Sequence, residues 1–247
     1  MSSVEEELGG GWGQEVQPVK IGNTVHRQNG ENAEYVHDVL VFLEQQGFDW
    51  APRYLGQDEQ DREVITFIDG YTPHGQEVPP ETWSLTTMTE IFQNIRKLHD
   101  ITEATPLAQD KECICHGDLG FANTVYEDGK AIAFIDWDLA RPGNRVDDLA
   151  HAIAAYLSLG VYVDKGAVER AELARKLADA YGATTEQRSR IVDSMLSQLQ
   201  EAHDKQLGII SSGSELGKRL AEANVPKIIQ KRIDWILQNR SDFDKAL

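Results

Sequence analysis

Apolar residues recur along this chain first with the period of strands and then with that of helices. Residues 16–21 and 23–27 alternate as strands, with Gly22-Asn23 as the turn between them. Val36, Val39, Leu40 and Leu43 stand at helical spacing and predict an amphipathic helix over residues 33–46, which Gly47 closes. Residues 51–56 and 63–68 read as two further strands around a polar turn at 57–62, ended by Asp69-Gly70. The first third is therefore a small sheet with one packed helix. Residues 71–81 carry three prolines and form a loop. The stripe Leu85, Met88, Ile91, Phe92, Ile95 and Leu98 then marks a helix ending near His99-Asp100. That stripe is read as core, and His99 as a packing histidine.

From residue 146 onward the pattern is helical. Residues 167–180 form one segment. Thr184-Thr185-Glu186-Gln187 is a capping-box signature opening another, with Ile191, Met195 and Leu199 on one face. Glycine and serine at 211–214 break the chain, and a final helix over 225–239 carries Ile228, Ile229, Ile233 and Leu237. No internal repeat is present.

The chemistry concentrates between the two regimes, in Cys115-His116-Gly117-Asp118-Leu119-Gly120-Phe121-Ala122-Asn123 and Phe134-Ile135-Asp136-Trp137-Asp138. Residues 124–126 and 131–135 read as strands joined by Glu127-Asp128-Gly129-Lys130, a hairpin turn with the favoured Asp-Gly pair. If Tyr126 opposes Ala131, Asn123 lies opposite Phe134, and Asp136 follows at the same open end. Asp118 can accept a proton from a hydroxyl, while Asn123 and Asp136 offer hard oxygen ligands suited to Mg²⁺. A lone His-Gly-Asp is commonly just a turn; the loop, the hairpin and the second acidic cluster in this order are what carry the signal.

The pattern His116-x-Asp118-x-x-x-x-Asn123, then Ile135-Asp136-Trp137-Asp138 and Asp148-Leu149-Ala150, resembles the aminoglycoside phosphotransferase and choline kinase superfamily. The likeness runs from about residue 22 to residue 156. It implies an α+β, bilobal protein-kinase-like fold. A small β-rich lobe over residues 1–70 would bind nucleotide, and a larger, mainly helical lobe over 71–247 would carry catalysis and acceptor binding. The implied reaction moves the γ-phosphoryl of Mg²⁺-ATP or GTP to a hydroxyl of a small molecule such as an aminoglycoside or aminoalcohol. Phosphoryl transfer asks mainly for positioning and charge neutralisation. By the resemblance Asp118 is the catalytic base, Asn123 and Asp136 are the metal ligands, and His116 braces the loop. The backbone of Thr66, Phe67 and Ile68 would meet the nucleotide base, and Asp148 would tie its helix to the catalytic segment.

Arg27 stands where the family usually has a phosphate-gripping lysine, and neither Glu31 nor Glu34 is an assured partner for it. Asp138 reads either as a supporting acid or as a strand end without a role. The short first lobe and the missing lysine leave a second reading open, a kinase-like binding or immunity protein without turnover. Short bacterial members of the group resemble proteins described as trifolitoxin immunity factors. A phosphohydrolase is a third and poorer reading, because no second metal-ligand cluster of His and Asp is present.

Composition narrows the partners. Of 247 residues 40% are hydrophobic and 26% charged, as expected for a soluble globular protein. A formal net charge of −17 argues against nucleic acid or an anionic membrane and would suit a cationic acceptor. The amino terminus has neither the basic start nor the apolar run of a secretory signal, and no apolar stretch is long enough to span a bilayer. The cysteines, Cys113 and Cys115, are half a metal site at most and read as two buried thiols in a reducing cytoplasm. Neither the acceptor nor the oligomeric state is legible.

Overall fold

The computed structural model describes residues 5–9, 17–73, 80–161 and 166–247. The expected strand start at residue 16 and residues 74–79 of the expected loop lie outside the described residues. In chain order the elements begin β1 (Glu5–Glu7), β2 (Val19–Ile21), β3 (Thr24–Arg27), α1 (Ala33–Gln45), β4 (Tyr54–Gln57), β5 (Glu63–Thr66) and α2 (Leu85–Thr102). They continue β6 (Cys113–Cys115), β7 (Thr124–Glu127), β8 (Lys130–Phe134), β9 (Arg141–Gly143) and α3 (Arg145–Tyr156). The chain ends in α4 (Ala167–Tyr181), α5 (Thr185–Ser211), α6 (Glu215–Glu222), α7 (Val225–Gln238) and α8 (Arg240–Ala246).

These elements form two compact units, one of residues 1–87 with 98–142 and one of 88–97 with 143–247. The first holds a five-stranded antiparallel sheet in the order β1-β2-β3-β5-β4. The β3–β5 register places Arg27 directly opposite Glu63. Helix α1 buries Val36, Val39, Leu40 and Leu43, the four positions its periodicity singled out. The hairpin β7–β8 belongs to the same unit: Phe134 donates its N–H to the Trp50 carbonyl at 2.8 Å, and Tyr71 and Tyr126 exchange both backbone hydrogen bonds at 2.8 Å. Its core includes Phe48, Ile114, Leu119, Val125, Phe134 and Trp137, none more than 2% exposed.

The second unit is helical. Its core joins Ile91, Phe92 and Ile95 to Leu149, Ile153, Tyr156, Leu177, Ile191 and Met195, all nearly or fully buried. Thr184 caps α5, accepting from the Gln187 N–H at 3.1 Å while the Gln187 side chain accepts from the Thr184 N–H at 3.0 Å. Helices α6 and α8 were not expected from the pattern; α6 is only eight residues long and α8 seven, too short for a stripe to declare itself. Among the described residues no helix is long and apolar enough to cross a membrane.

Candidate active site

Strand β6 is buried at all three positions and delivers the chain to His116, which is itself fully buried. The Asp118 N–H approaches His116 Nδ1 at 3.3 Å, so the ring donates from Nε2 to the Ile135 carbonyl at 3.1 Å. The imidazole also packs on Trp137, with ring centres 4.5 Å apart. His116 thus ties the start of the loop to the end of β8. Gly117 has φ +85°, and a Cβ there would collide with the Leu139 carbonyl and the Arg141 guanidinium. Only glycine fits this position. Asp118 follows, half-buried, and Asn123 Nδ2 donates to both its carbonyl and its Oδ2 at 2.8 Å.

Asp128 (φ 48°) and Gly129 (φ 76°) make a turn left-handed at both central positions, matching the twist of a two-residue hairpin. Tyr126 pairs with Ala131 as expected, but the register then slips: Val125 faces Ala133 and Thr124 faces Phe134. Ile132 is the extra residue of a bulge. The expected pairing of Asn123 with Phe134 is therefore corrected by one position, and the Ile135 N–H donates to the Asn123 carbonyl at 2.9 Å. Asp136 comes next, with left-handed backbone (φ 62°, ψ 66°) and a side chain 44% exposed. Its carboxyl titrates above the ordinary carboxylate range. Lost hydration in its recess is the largest cause. The charges of Asp138 and Asp118 add to it, and Arg27 opposes it.

Arg27 is 9% exposed and surrounded by acids. Its Nε lies 2.5 Å from Glu63 Oε1, Nη2 donates to Asp138 Oδ1 at 2.5 Å, and Nη1 lies 3.6 Å from Asp136 Oδ1. The Nε–H is not aligned on the Glu63 oxygen, so that contact is an ion pair rather than a hydrogen bond. Burial works against the guanidinium's charge, but Asp138, Glu63 and Asp136 more than offset it and its pKa is raised. Neither glutamate of the α1 entry pairs with Arg27. The partner is Glu63, 2% exposed on β5, whose second oxygen lies 2.9 Å from His37 Nε2 on α1. Sequence reading missed both residues. The available signal was an acid heading the apolar strand Glu63-Val64-Ile65, where the sheet register decides what faces it. A cavity of about 370 Å³ borders this cluster, lined by Gly30, Asn32, Glu63, Asp138 and Arg141 among others.

The three expected base-contacting residues are unequally placed. The Thr66 N–H donates to the Arg53 carbonyl at 2.9 Å and the Phe67 N–H to the Asn23 carbonyl at 2.8 Å. Ile68 lies beyond Thr66, the last paired position of β5 among the described residues. Away from this cluster, Cys113 and Cys115 meet His99, not the adjacent His116, with ligand atoms all within 4.8 Å and every residue fully buried. Neither cysteine is in a disulfide.

The acids suit a hard divalent cation. Asn123 spends its nitrogen on Asp118, which leaves Oδ1 as its donor atom, and Asp136 carries a carboxylate whose charge its acidic neighbours disfavour. Oxygen donors with excess negative charge are the chemistry Mg²⁺ takes.

Comparison with known proteins follows the same region. The pattern of the phosphotransferase enzyme family matches residues 22–191. The trifolitoxin immunity protein of Rhizobium leguminosarum bv. trifolii is 30% identical over 200 residues, 71% of this chain and 74% of that one. An aminoglycoside phosphotransferase from Streptomyces rimosus, solved with ADP and streptomycin, superimposes with a TM-score of 0.57 at 16% identity, over 76% of this chain and 89% of that one. An ethanolamine kinase from Plasmodium vivax does so with a TM-score of 0.65 at 14% identity, over 98% and 83%. At such identities the likeness is one of fold, and the fold is the α+β, protein-kinase-like one the resemblance implied.

Proposed function

This chain belongs to the phosphotransferase enzyme family, and from its site we propose that it moves the γ-phosphoryl of ATP or GTP to a hydroxyl of a small molecule such as an aminoglycoside or aminoalcohol. The observation that carries the reading is the Asp118–Asn123 pair, joined by two hydrogen bonds of 2.8 Å at the hairpin end from which Asp136 extends. A base, an amide and a second acid in this order match what phosphoryl transfer requires.

In this reading Asp118 orients the acceptor hydroxyl and takes its proton as the bond to phosphorus forms. Asn123, donating to Asp118, keeps the carboxylate from rotating. Asn123 and Asp136 would hold Mg²⁺, which when bound neutralises phosphate charge and aligns the transferring group. Arg27 turns its two Nη groups toward the phosphates. Ile68 and its neighbours Thr66 and Phe67 edge the base. The division of roles at residue 70, nucleotide before it and acceptor after it, is part of the same proposal.

A screen of nucleotide consumption against aminoglycosides, aminoalcohols, sugars and macrolides tests it, with Asp118→Ala as the blank. Turnover with one acceptor class, absent in the blank, is the expected result. Nucleotide binding without turnover on any acceptor would favour the second reading, a non-catalytic binding or immunity protein. The 30% identity to the trifolitoxin immunity protein is the observation on that side.

A further inference from the structure

The guanidinium of Arg27 does two jobs with two different edges. Its Nε side faces Glu63, and its Nη side faces Asp138 and Asp136. A lysine has one ammonium and would be consumed by the nearer acid; a guanidinium can be held at one edge and present the other as a fork. Two contacts set the direction of the fork: the Nη2 hydrogen bond to Asp138, and on the opposite edge the ion pair of Nε with buried Glu63.

Glu63 is fixed on every side. It lies directly across the β3–β5 ladder from Arg27, so sheet register and not helix position brings the two together. At 2% exposure its charge would be costly unless both oxygens were compensated. Oε1 takes Arg27, and Oε2 takes His37 Nε2 at 2.9 Å. The His37 ring is in turn stacked face to face on Tyr54, with centres 3.9 Å apart and planes 14° from parallel. The ring cannot swing without losing that stack, and Glu63 cannot turn without losing His37.

We propose that His37 and Glu63 are positioning residues for nucleotide binding: Glu63, locked by the stacked His37, holds Arg27 by Nε so that its Nη fork is aimed at the phosphates. This rests on the proposed role of Arg27 and adds the part of the chain that sets its aim. An acid on the next strand, steadied by a histidine from α1, does here what neither glutamate of the α1 entry does.

Calorimetric titration of Mg²⁺ and ATP, with a thermal melt on every variant, tests it. His37→Ala should loosen nucleotide roughly three- to tenfold. His37→Gln, which keeps a nitrogen donor near the Nε2 position, should recover most of that. Glu63→Gln should loosen nucleotide about tenfold, and combining it with Arg27→Ala should add nothing to the loss from Arg27→Ala alone. A merely structural role predicts lower melting temperatures with unchanged affinity, or effects that multiply in the double variant; either overturns the proposal. If Arg27→Ala does not fold, the contrast between His37→Ala and His37→Gln decides alone. A wild-type chain that binds no nucleotide overturns the proposed function instead. The hold on Arg27 is then read from its side-chain ¹⁵N signals. Slow rotation in the wild type lost in His37→Ala supports it, and identical signals overturn it.

Discussion

At the scale of single residues, His116 and Asp118 stand two positions apart and do opposite work. His116 is fully buried with both ring nitrogens engaged, whereas Asp118 is half-buried at the head of the loop. His116→Ala should cost about 2–4 kcal/mol of stability through the cavity and the stranded Ile135 carbonyl. Asp118→Ala should leave the melting temperature nearly unchanged and abolish turnover. Melts and activity on both variants check this, and equal loss of stability would make Asp118 a structural acid. Asp136 offers a sharper test, because its carboxyl is raised from the ordinary 3.8. The fold favours its neutral form. Its contribution to stability is therefore full below the ordinary value and is lost as pH rises through the raised one. At neutral pH Asp136→Asn should melt higher than wild type, because lost hydration and repulsion by Asp138 and Asp118 outweigh the pull of Arg27, while turnover disappears. A melt at pH 3 should erase any such advantage. A variant that melts well below wild type at pH 7 would mean the Arg27 attraction dominates.

Among elements, the hairpin decides where the acids stand. Its turn needs two left-handed residues, and Gly129 at φ 76° is the one that a Cβ strains. Gly129→Ala should cost about 1–2 kcal/mol, which is roughly 2–8 °C in a chain of this length. Gly129→Asn should cost less, since asparagine tolerates that conformation. Neither substitution touches the residues at the far end, so nucleotide affinity should be retained. Thermal melts paired with nucleotide titration check both halves. The bulge at Ile132 works at the other end of the same element. It bends β8 so that Ile135 bonds back to Asn123, and Asp136 then leaves the strand in a left-handed turn.

Over the whole molecule, ligand and fold are linked by mass action. At a hundredfold excess over its dissociation constant, a ligand that binds only the folded chain adds about 2.7 kcal/mol. Mg²⁺ with ATP should therefore raise the melting temperature by roughly 5–10 °C. Chelating the metal should reverse the rise, and Asp136→Asn should not show it. An equal rise in that variant would remove Asp136 from the metal site. The net charge of −17 adds a second expectation. If the acceptor is a polyamine sugar or an aminoalcohol, its KM should climb between low and physiological salt as screening weakens the attraction. A neutral acceptor's KM should stay level over the same range.

Local patterns by themselves determined a good deal of this protein. The stripe on α1, the stripe of α2, the capping box of α5 and the Asp-Gly turn of the hairpin are decided within a few residues, by side-chain period and by allowed backbone angles. The ordered spacing of His116, Asp118, Asn123 and Asp136 was legible for the same reason, since loop and hairpin are contiguous. What the tertiary structure alone decided is everything that depends on register between distant strands. Arg27 and Glu63 are 36 positions apart and meet because β3 and β5 pair with one offset and not the next. A slip of one residue would have turned Glu63 to the other face. The same applies to Asp138, read either as a supporting acid or as a strand end without a role and found 2.5 Å from a guanidinium 111 positions earlier. Hydrophobic period says which face of a strand is buried. Only the packed sheet says which buried charge finds which partner, because a buried acid without a cation beside it would not be tolerated there.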